Sequence, residues 1–273
     1  ATTGLGHHGD LEAPGFADDI ALVAVGDTVA RCQELLQGGL DIVHKWAVHN
    51  NMVVSVDKTE AILFSMNNQE NKGRCPLVLT HAITGSPVKN SATAKYLGVI
   101  FDSTLSLKPQ VDAVCARVHE RSQAISMLSG TDWGFRARNL RTTFIQFSRP
   151  AAEYALSAYG PFLSPELWRR LESVNLSGAR KITGCTRDTP AEIVLQEACT
   201  EPLQVTAKYR TCIEYGKYMR LLPSAPMQRL ASPPVREGIK WANHGVRASW
   251  RGQATRTCTA AGLDQIPRED DSR

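Results

Sequence analysis

The spacing of apolar positions changes character once along this chain. Up to about residue 108 the apolar runs are short, rich in β-branched residues and separated by turn formers, which is the pattern of strands. Ile20 to Val25 is such a run. With Gly15 and an Asp pair ahead of it, the stretch "GFADDIALVAVG" reads as a β-hairpin with Asp18 and Asp19 near its tip. Asp27 then stands as an N-cap for a helix in which Val29, Cys32, Leu35, Leu36, Val43, Trp46 and Ala47 recur at helical spacing, ending at Asn50-Asn51. Gly38-Gly39 within it costs about 1 kcal/mol per glycine, so a bend or a close packing contact is expected there. "MVVSVDKTEAILF" reads as extended chain, a turn at Asp57-Lys58-Thr59 and a strand from Ala61 to Phe64; Asn67 to Arg74 reads as a polar loop, "TGSP" as a turn, and "AKYLGVIFD" as a strand interrupted by Gly98.

After Pro109 the period is helical. Val111, Val114, Cys115, Val118, Ile125 and Leu128 share one face of a helix that Gly130 can end. Further helices are predicted over Arg136 to Phe147, from Pro150 to about Tyr159, and after Ser164, which caps a helix with Pro165 in its first position. "TPAE" at Thr189 to Glu192 has the capping-box pattern, and "EPLQVTAKYRTCIEYGKYMRLL" supplies a last clear helix. From Leu222 onward prolines, glycines and isolated tryptophans break the pattern. The fold class expected is α+β, divided at 1–108, 109–222 and 223–273, the last a linker or truncated segment.

Composition adds function classes to exclude. The chain has 273 residues and 42% hydrophobic content, enough for a real core, and no apolar run long enough for a membrane span. No secretory leader pattern opens it, so an intracellular location is expected. It starts at Ala1 and reaches the Asp pair almost at once, which reads as an excerpt of something longer. Seven scattered cysteines without a CxxC pair read as buried thiols rather than disulfides or a zinc site, and His7-His8 as a polar loop.

Charge changes the picture more. Through Asp112 there are 8 basic and 12 acidic residues; beyond it there are 23 basic and 15 acidic, and 19 of the 23 are arginine. An acidic front and an arginine-rich rear fit a metal-dependent enzyme acting on a polyanion, because the guanidinium fork matches phosphate; a solvated helix surface has a similar composition. Two adjacent carboxylates at a hairpin tip repel unless a cation lies beside them, and a divalent metal supplies it. A bare Asp pair is more often just a polar turn.

The order of the motifs weighs against that bland reading. "FADDIALVA", an amphipathic helix, "NNMVVSVDKTEAILFS" and "KYLGVIFDSTLSLKPQV" closely resemble the later palm motifs of reverse transcriptases from non-long-terminal-repeat (LINE-type) retrotransposons. "FSRPAAEYALSAYGPFL" and "LWRRLESVNLSGARKITG" resemble the helical thumb of the same family, and the resemblance runs from about Gly15 to Thr200. It implies a partial polymerase palm (β-hairpin, helix and antiparallel strands) followed by an α-helical thumb bundle.

It also implies roles. Asp18 would be the principal ligand of a catalytic Mg²⁺ (or Mn²⁺), with Asp19 a secondary ligand or structural carboxylate and Phe16 the anchor below. Lys58 would approach the triphosphate of the incoming deoxynucleotide; the plain alternative is an ordinary turn lysine. Tyr96, Leu97 and Gly98 match the primer grip, or else a bulged core strand. Arg136, Arg138, Arg141, Arg149, Arg169, Arg170, Arg180 and Lys181 would track the phosphates of an RNA template and DNA primer, though any single one also fits a solvated surface. Trp46, Trp133 and Trp168 read as core residues rather than stacking platforms. Nuclear residence is expected by the same resemblance.

The family's site needs another aspartate from an earlier palm strand, and its fingers lie upstream of the Asp pair. The expectation is therefore a fragment of an RNA-directed DNA polymerase that is inactive by itself. The alternatives are a non-catalytic nucleic-acid-binding remnant or, at greater distance, an unrelated Mg²⁺-dependent phosphohydrolase drawing on Asp57 and Asp102.

Overall fold

The computed structural model describes residues 10–65, 77–130, 133–221, 239–241, 245–247 and 250–263. Cys75, His7-His8 and the polar stretch Asn67 to Arg74 lie outside the described residues. The chain forms two compact units, Ala1–Pro109 and Gln110–Arg273. Strands and helices are mixed in the first and helices dominate the second, a composition compatible with the α+β class.

The first unit opens on one hairpin whose ladder is interrupted midway. Strand β1 (Leu11–Glu12) pairs antiparallel with β4 (Val23–Ala24), and β2 (Gly15–Phe16) with β3 (Asp19–Ile20). Both pairs continue one register, linked by the Ala21 amide donating to the Pro14 carbonyl at 2.9 Å. Pro14 has no amide of its own, which is why the regular ladder lapses there. Helix α1 (Val29–His49) follows, and Thr28 caps it: the Thr28 hydroxyl accepts from the Arg31 amide at 3.2 Å. The expected cap, Asp27, sits one residue too early for its carboxylate to reach the first turn's amides.

Gly39 settles the expectation at the glycine pair. A Cβ there would stand 3.0 Å from Leu11 Cδ2 and 3.4 Å from Leu22 Cδ1, so α1 is bare at this point to let the hairpin stem lie on it; at Gly38 a Cβ would meet nothing. Beneath lies a core of Leu40, Ala61, Leu77, Leu79 and Val88, with Leu22 and Leu36 packed against it. Gln37 fastens α1 to the neighbouring chain with both ends of its amide, accepting from the Thr80 amide and donating to the Thr80 carbonyl, each at 2.9 Å.

The strand expected from Ala61 to Phe64 is shorter and earlier. Strand β5 (Glu60–Ala61) runs parallel to β6 (Lys89–Asn90), and a Lys89 to Glu60 ion pair of 2.9 Å closes the pair. The "AKYLGVIFD" stretch is a hairpin rather than one strand: β7 (Thr93–Tyr96) turns through Leu97 and Gly98 into β8 (Val99–Asp102). Both turn residues have positive φ, 46° and 81°, the geometry that matches the right-handed twist of two paired strands. Asp102, at the end of β8, is buried and accepts from Thr104 Oγ1 and from the Ser106 and Leu107 amides. Burial alone would raise its carboxyl, but these hydrogen bonds outweigh it and hold it below the usual range.

The second unit packs α2 (Lys108–Ser126), α3 (Ala137–Thr143), α4 (Arg149–Glu153), α5 (Leu156–Tyr159), α6 (Pro165–Thr183), α7 (Ala191–Glu197), α8 (Leu203–Arg220) and α9 (Trp250–Ala260). Helix α2 ends at Ser126, four residues before the expected stop. Between α3 and α4 the chain keeps winding through a π-helical turn, Phe144–Ser148. The wider turn carries the helix into Pro150, whose ring would otherwise press on the preceding turn. The chain breaks instead at Ala155, with φ of 53°. Ser164 caps α6 as expected, accepting from the Leu167 amide, and Gly184 ends it at φ 74°. At "TPAE" the capping box does not form: α7 begins at Ala191, and the Thr189 hydroxyl bonds that of Thr186.

Ile125, Leu140, Phe144 and Ile182 form one core cluster, and Ala179, Val194 and Ala198 another. Within the segment after Leu222, strands β9 (Ile239–Trp241) and β10 (Gly245–Arg247) pair antiparallel. Helix α9 packs on α8 through Cys212, Tyr215, Ala254 and Cys258, and the Trp250 indole donates to the Ser157 carbonyl at 2.9 Å. That helix is an integral part of the second unit. Cys212 and Cys258 are buried thiols as expected, whereas Cys199 is exposed and Cys32, Cys115 and Cys185 are half-buried.

Candidate functional site

The hairpin turns through Ala17 and Asp18, between Phe16 and Asp19, which face each other across the last rung. Ala17 takes φ 54°, a left-handed conformation that costs an L-residue about 1 kcal/mol and is accepted to close so tight a turn. The result is an exposed tip carrying both carboxylates. Among the described residues, no side-chain hydrogen bond or ion pair engages Asp18 or Asp19, so their oxygens are open to a cation. Phe16, opposite Asp19, is 66% exposed rather than anchored in a core.

Below the tip, the stem is held on three sides. Leu11 and Leu22 lie on Gly39 of α1, Arg31 of α1 reaches Asp10 at 3.9 Å, and Tyr96 at the end of β7 donates its hydroxyl to the Pro14 carbonyl at 3.3 Å. Tyr96 is half-buried; burial first, and the nearby Asp19 charge second, push its phenol above the ordinary value. The structure therefore brings Asp19 and Tyr96 into one neighbourhood, with Leu97 and Gly98 forming the turn next to Tyr96. Sequence reading named Tyr96 but not its acceptor, and Gly39 but not its partners. The signals were present, as a proline immediately before the hairpin's inner strand and a glycine pair in a helix.

Lys58 lies exposed in the turn before β5. Among the described residues no ion pair joins it to Asp18 or Asp19. Its neighbours in "KTE" serve the local fold: Thr59 Oγ1 donates to the Ser55 carbonyl at 2.6 Å, and Glu60, held low by the Lys89 hydrogen bond, pairs across the parallel strands.

The basic residues of the second unit divide by whether their donors are already used. Arg141 caps the C-terminal end of α7, donating to the Ala198 carbonyl at 3.0 Å and to that of Cys199 at 2.7 Å. Arg149 is buried and pairs with Glu153 at 2.5 Å and Thr206 at 2.8 Å. Arg170 pairs with Asp112, and Arg180 donates to the carbonyls of Thr186, Arg187 and Thr189. Lys181 donates to the Ser122 carbonyl at 2.9 Å, and burial draws its ammonium below the ordinary value. Arg136, Arg138 and Arg169 are exposed and have no protein partner among the described residues. Arg169 lines a cavity of about 360 Å³ with Cys115, Glu166, Arg170, Ser173 and Val174.

The tryptophans divide too. Trp46 and Trp168 are half-buried, but Trp133 is 70% exposed, contrary to its reading as a core residue. The flanking glycines of "GTDWG" were the signal, since they place the indole in a tight loop rather than on a helix face.

Among the described residues, no three histidine, cysteine or acidic side chains gather where they could hold a metal ion, and no helix is long and apolar enough to cross a membrane. Asp18 and Asp19 are hard oxygen donors suited to Mg²⁺, and they supply two carboxylates, not a complete set.

No family model matches the sequence. Among curated proteins, the RNA-directed DNA polymerase from mobile element jockey of Drosophila funebris is 24% identical over 242 residues, 86% of this chain and 25% of that protein. The Retrovirus-related Pol polyprotein from type-1 retrotransposable element R1 2 of Nasonia vitripennis is 27% identical over 56% of the chain and 37% of its own length. The probable RNA-directed DNA polymerase from transposon BS of Drosophila melanogaster is 23% identical over 79% and 24%. The chain thus spans between about a quarter and just over a third of the length of these relatives. The resemblance read from the motifs stands: over most of its length the chain is similar to the RNA-directed DNA polymerases of non-LTR retrotransposons.

Proposed function

We propose that the first unit is the later part of a reverse transcriptase palm and the second its thumb, so that the parent activity is RNA-templated addition of deoxynucleotides to a primer 3′ hydroxyl. The observation that carries this reading is the exposed Asp18-Asp19 tip, closed by a strained Ala17 turn and braced by Tyr96. A fold that accepts left-handed backbone to hold two unpaired carboxylates in solvent is arranged for a cation. Asp18 and Asp19 would hold Mg²⁺, with Mn²⁺ as substitute; the ion, when bound, lowers the charge repulsion between the attacking hydroxyl and the triphosphate. Lys58, free and exposed, would meet the triphosphate, and the Leu97-Gly98 turn would lie along the primer backbone.

The same reading assigns phosphate contacts along the template and primer to the cations with open donors, Arg136, Arg138 and Arg169. Arg141, Arg149, Arg170, Arg180 and Lys181 hold the thumb together instead. Two carboxylates do not complete a two-metal site, so the 273 residues alone should not extend a primer. The test is primer extension on a homopolymer RNA template with Mg²⁺. No extension by the chain alone, with synthesis by a longer chain carrying the upstream palm aspartate that Asp18→Ala abolishes, supports the reading. Mg²⁺-dependent extension by the chain alone overturns the claim of inactivity, and a longer chain indifferent to Asp18→Ala overturns the role of the tip.

The second reading, a non-catalytic nucleic-acid-binding remnant, is favoured by the open arginines together with the incomplete donor set. It predicts salt-dependent binding without synthesis in any chain length.

A further inference from the structure

The loop between α2 and α3 displays the Trp133 indole to solvent. Leu128 is fixed by packing on the cluster of Ile125, Leu140 and Phe144, and the Phe135 amide returns to the Leu128 carbonyl at 2.8 Å. Ser129 and Gly134 face each other as an isolated antiparallel bridge, so the chain leaves the core and comes back within a few residues. Two glycines make the excursion possible. Gly134 has φ of 124°, open in practice to glycine alone, and a Cβ there would stand 2.5 Å from the Leu128 carbonyl oxygen. A Cβ on Gly130 would stand 3.0 Å from Cε2 and Nε1 of the Trp133 indole and 2.5 Å from the Trp133 carbonyl oxygen, so one edge of the ring rests on bare backbone.

Trp133 is thus both exposed and held. A side chain of that size left 70% open forgoes much of the burial that ordinarily determines where tryptophan sits, and nothing in the core requires it there. Met127 and Phe135, on the two arms of the same loop, are exposed as well. Immediately after in sequence come Arg136 and Arg138, both exposed, and among the described residues neither has a side-chain hydrogen bond or ion-pair partner.

A flat π-face beside guanidinium groups fits a single-stranded nucleic acid, in which unpaired bases stack and the phosphates on the same strand meet the arginines. We propose that Trp133 is a stacking platform for an unpaired base, with Arg136 and Arg138 holding the adjoining phosphates. This rests on the nucleic-acid-binding part of the proposed function and adds to it a position and a strandedness. A duplex offers no unstacked base to the indole, so the loop discriminates single strands from paired ones.

The experiment is a fluorescence and anisotropy titration of the full chain with oligothymidylate and oligouridylate of about a dozen nucleotides, and with a blunt duplex of the same length. Comparing the two homopolymers separates DNA from RNA as the source of the strand. Expected is quenching of tryptophan emission by single strands, lost in both Trp133→Ala and Trp133→Phe, while the affinity read by anisotropy is about tenfold weaker in Trp133→Ala and substantially restored in Trp133→Phe. Duplex binding should be unchanged by either variant. Arg136→Ala with Arg138→Ala should flatten the dependence of single-strand affinity on salt by about 1.4 in the logarithmic slope, two phosphates at about 0.7 each. Circular dichroism should show all variants folded, since none of these side chains is buried.

If the chain binds duplex but no single strand, or if Trp133→Ala binds single strands as the parent does, the platform is refuted while the proposed function stands. If the chain binds neither, both fall. Loss of self-association in Trp133→Ala with nucleic-acid binding intact would also refute it, and would make the loop a protein-docking tip.

Discussion

The Tyr96 hydroxyl donates to the carbonyl of Pro14 at 3.3 Å, tying the end of one hairpin to the stem of another that is distant in sequence. The Pro14 carbonyl already accepts the cross-strand Ala21 amide at 2.9 Å, and its second lone pair takes the Tyr96 hydroxyl. Tyr96→Phe removes that donor from a partly exposed site. We expect a stability loss of about 0.5–1 kcal/mol by urea denaturation, small because water can take the phenol's place. In a longer, active chain the same change should reduce primer extension more than Ala17→Gly does, because it loosens the stem that carries Asp18 and Asp19.

A buried histidine pair makes the first unit acid-sensitive. The Ala82 amide donates to His44 Nδ1, which leaves His44 Nε2 to donate to His81 Nδ1 at 3.3 Å. His81 Nε2 is buried with no partner among the described residues. Burial first, and His44 second, lower the His81 pKa, so the folded chain favours the neutral ring while the unfolded chain takes a proton near 6.5. The stabilisation is complete above about pH 6.5 and is lost as pH falls from there toward the lowered folded value. Denaturant midpoints between pH 7.5 and 5.5 should fall in the parent and flatten in His81→Phe; equal slopes would show that His81 is not responsible.

Gly178 on α6 lies against Phe144 in the π-helical turn. A Cβ at Gly178 would stand 2.1 Å from Phe144 Cε2, and the ring is 1% exposed, with no room to withdraw. Alanine gains about 1 kcal/mol of helix propensity over glycine, but forcing a methyl into a packed core costs about 1–3 kcal/mol. Gly178→Ala should therefore lower the melting temperature, and adding Phe144→Leu should recover part of the loss. A stabilised single variant would mean that α6 and the π turn separate more easily than their packing implies.

The division among the arginines is testable by contrasting stability with binding. Arg149 and Glu153, both nearly buried, form an ion pair that Arg210 joins from outside. Arg149→Ala leaves Glu153 without its buried partner and should cost about 3–5 kcal/mol. Arg141→Ala strips the α7 carbonyls of their donor and should cost about 1–3 kcal/mol. Arg136→Ala and Arg138→Ala should leave the unfolding free energy within about 0.5 kcal/mol of the parent while weakening nucleic-acid binding. Calorimetry with a salt series of binding curves checks both halves.

What the sequence alone determined is whatever local rules decide. The shift from strand to helix period, the hairpin around Asp18-Asp19 and the Ser164 cap with Pro165 all follow from preferences acting within a few residues. The motif order alone carried the resemblance to non-LTR reverse transcriptases. Tertiary structure decided the rest, because burial and hydrogen-bond partners come from residues far apart in the chain. It seats the hairpin on Gly39, turns Arg141, Arg149, Arg170, Arg180 and Lys181 inward to carbonyls and carboxylates, and brings α9 onto α8. Trp133 shows the limit most plainly: it reads as a core residue by sequence, whereas two glycines that permit left-handed backbone and close approach set it in solvent. A side chain's type states what it can do, and only the neighbours that satisfy or expose it decide what it is free to do.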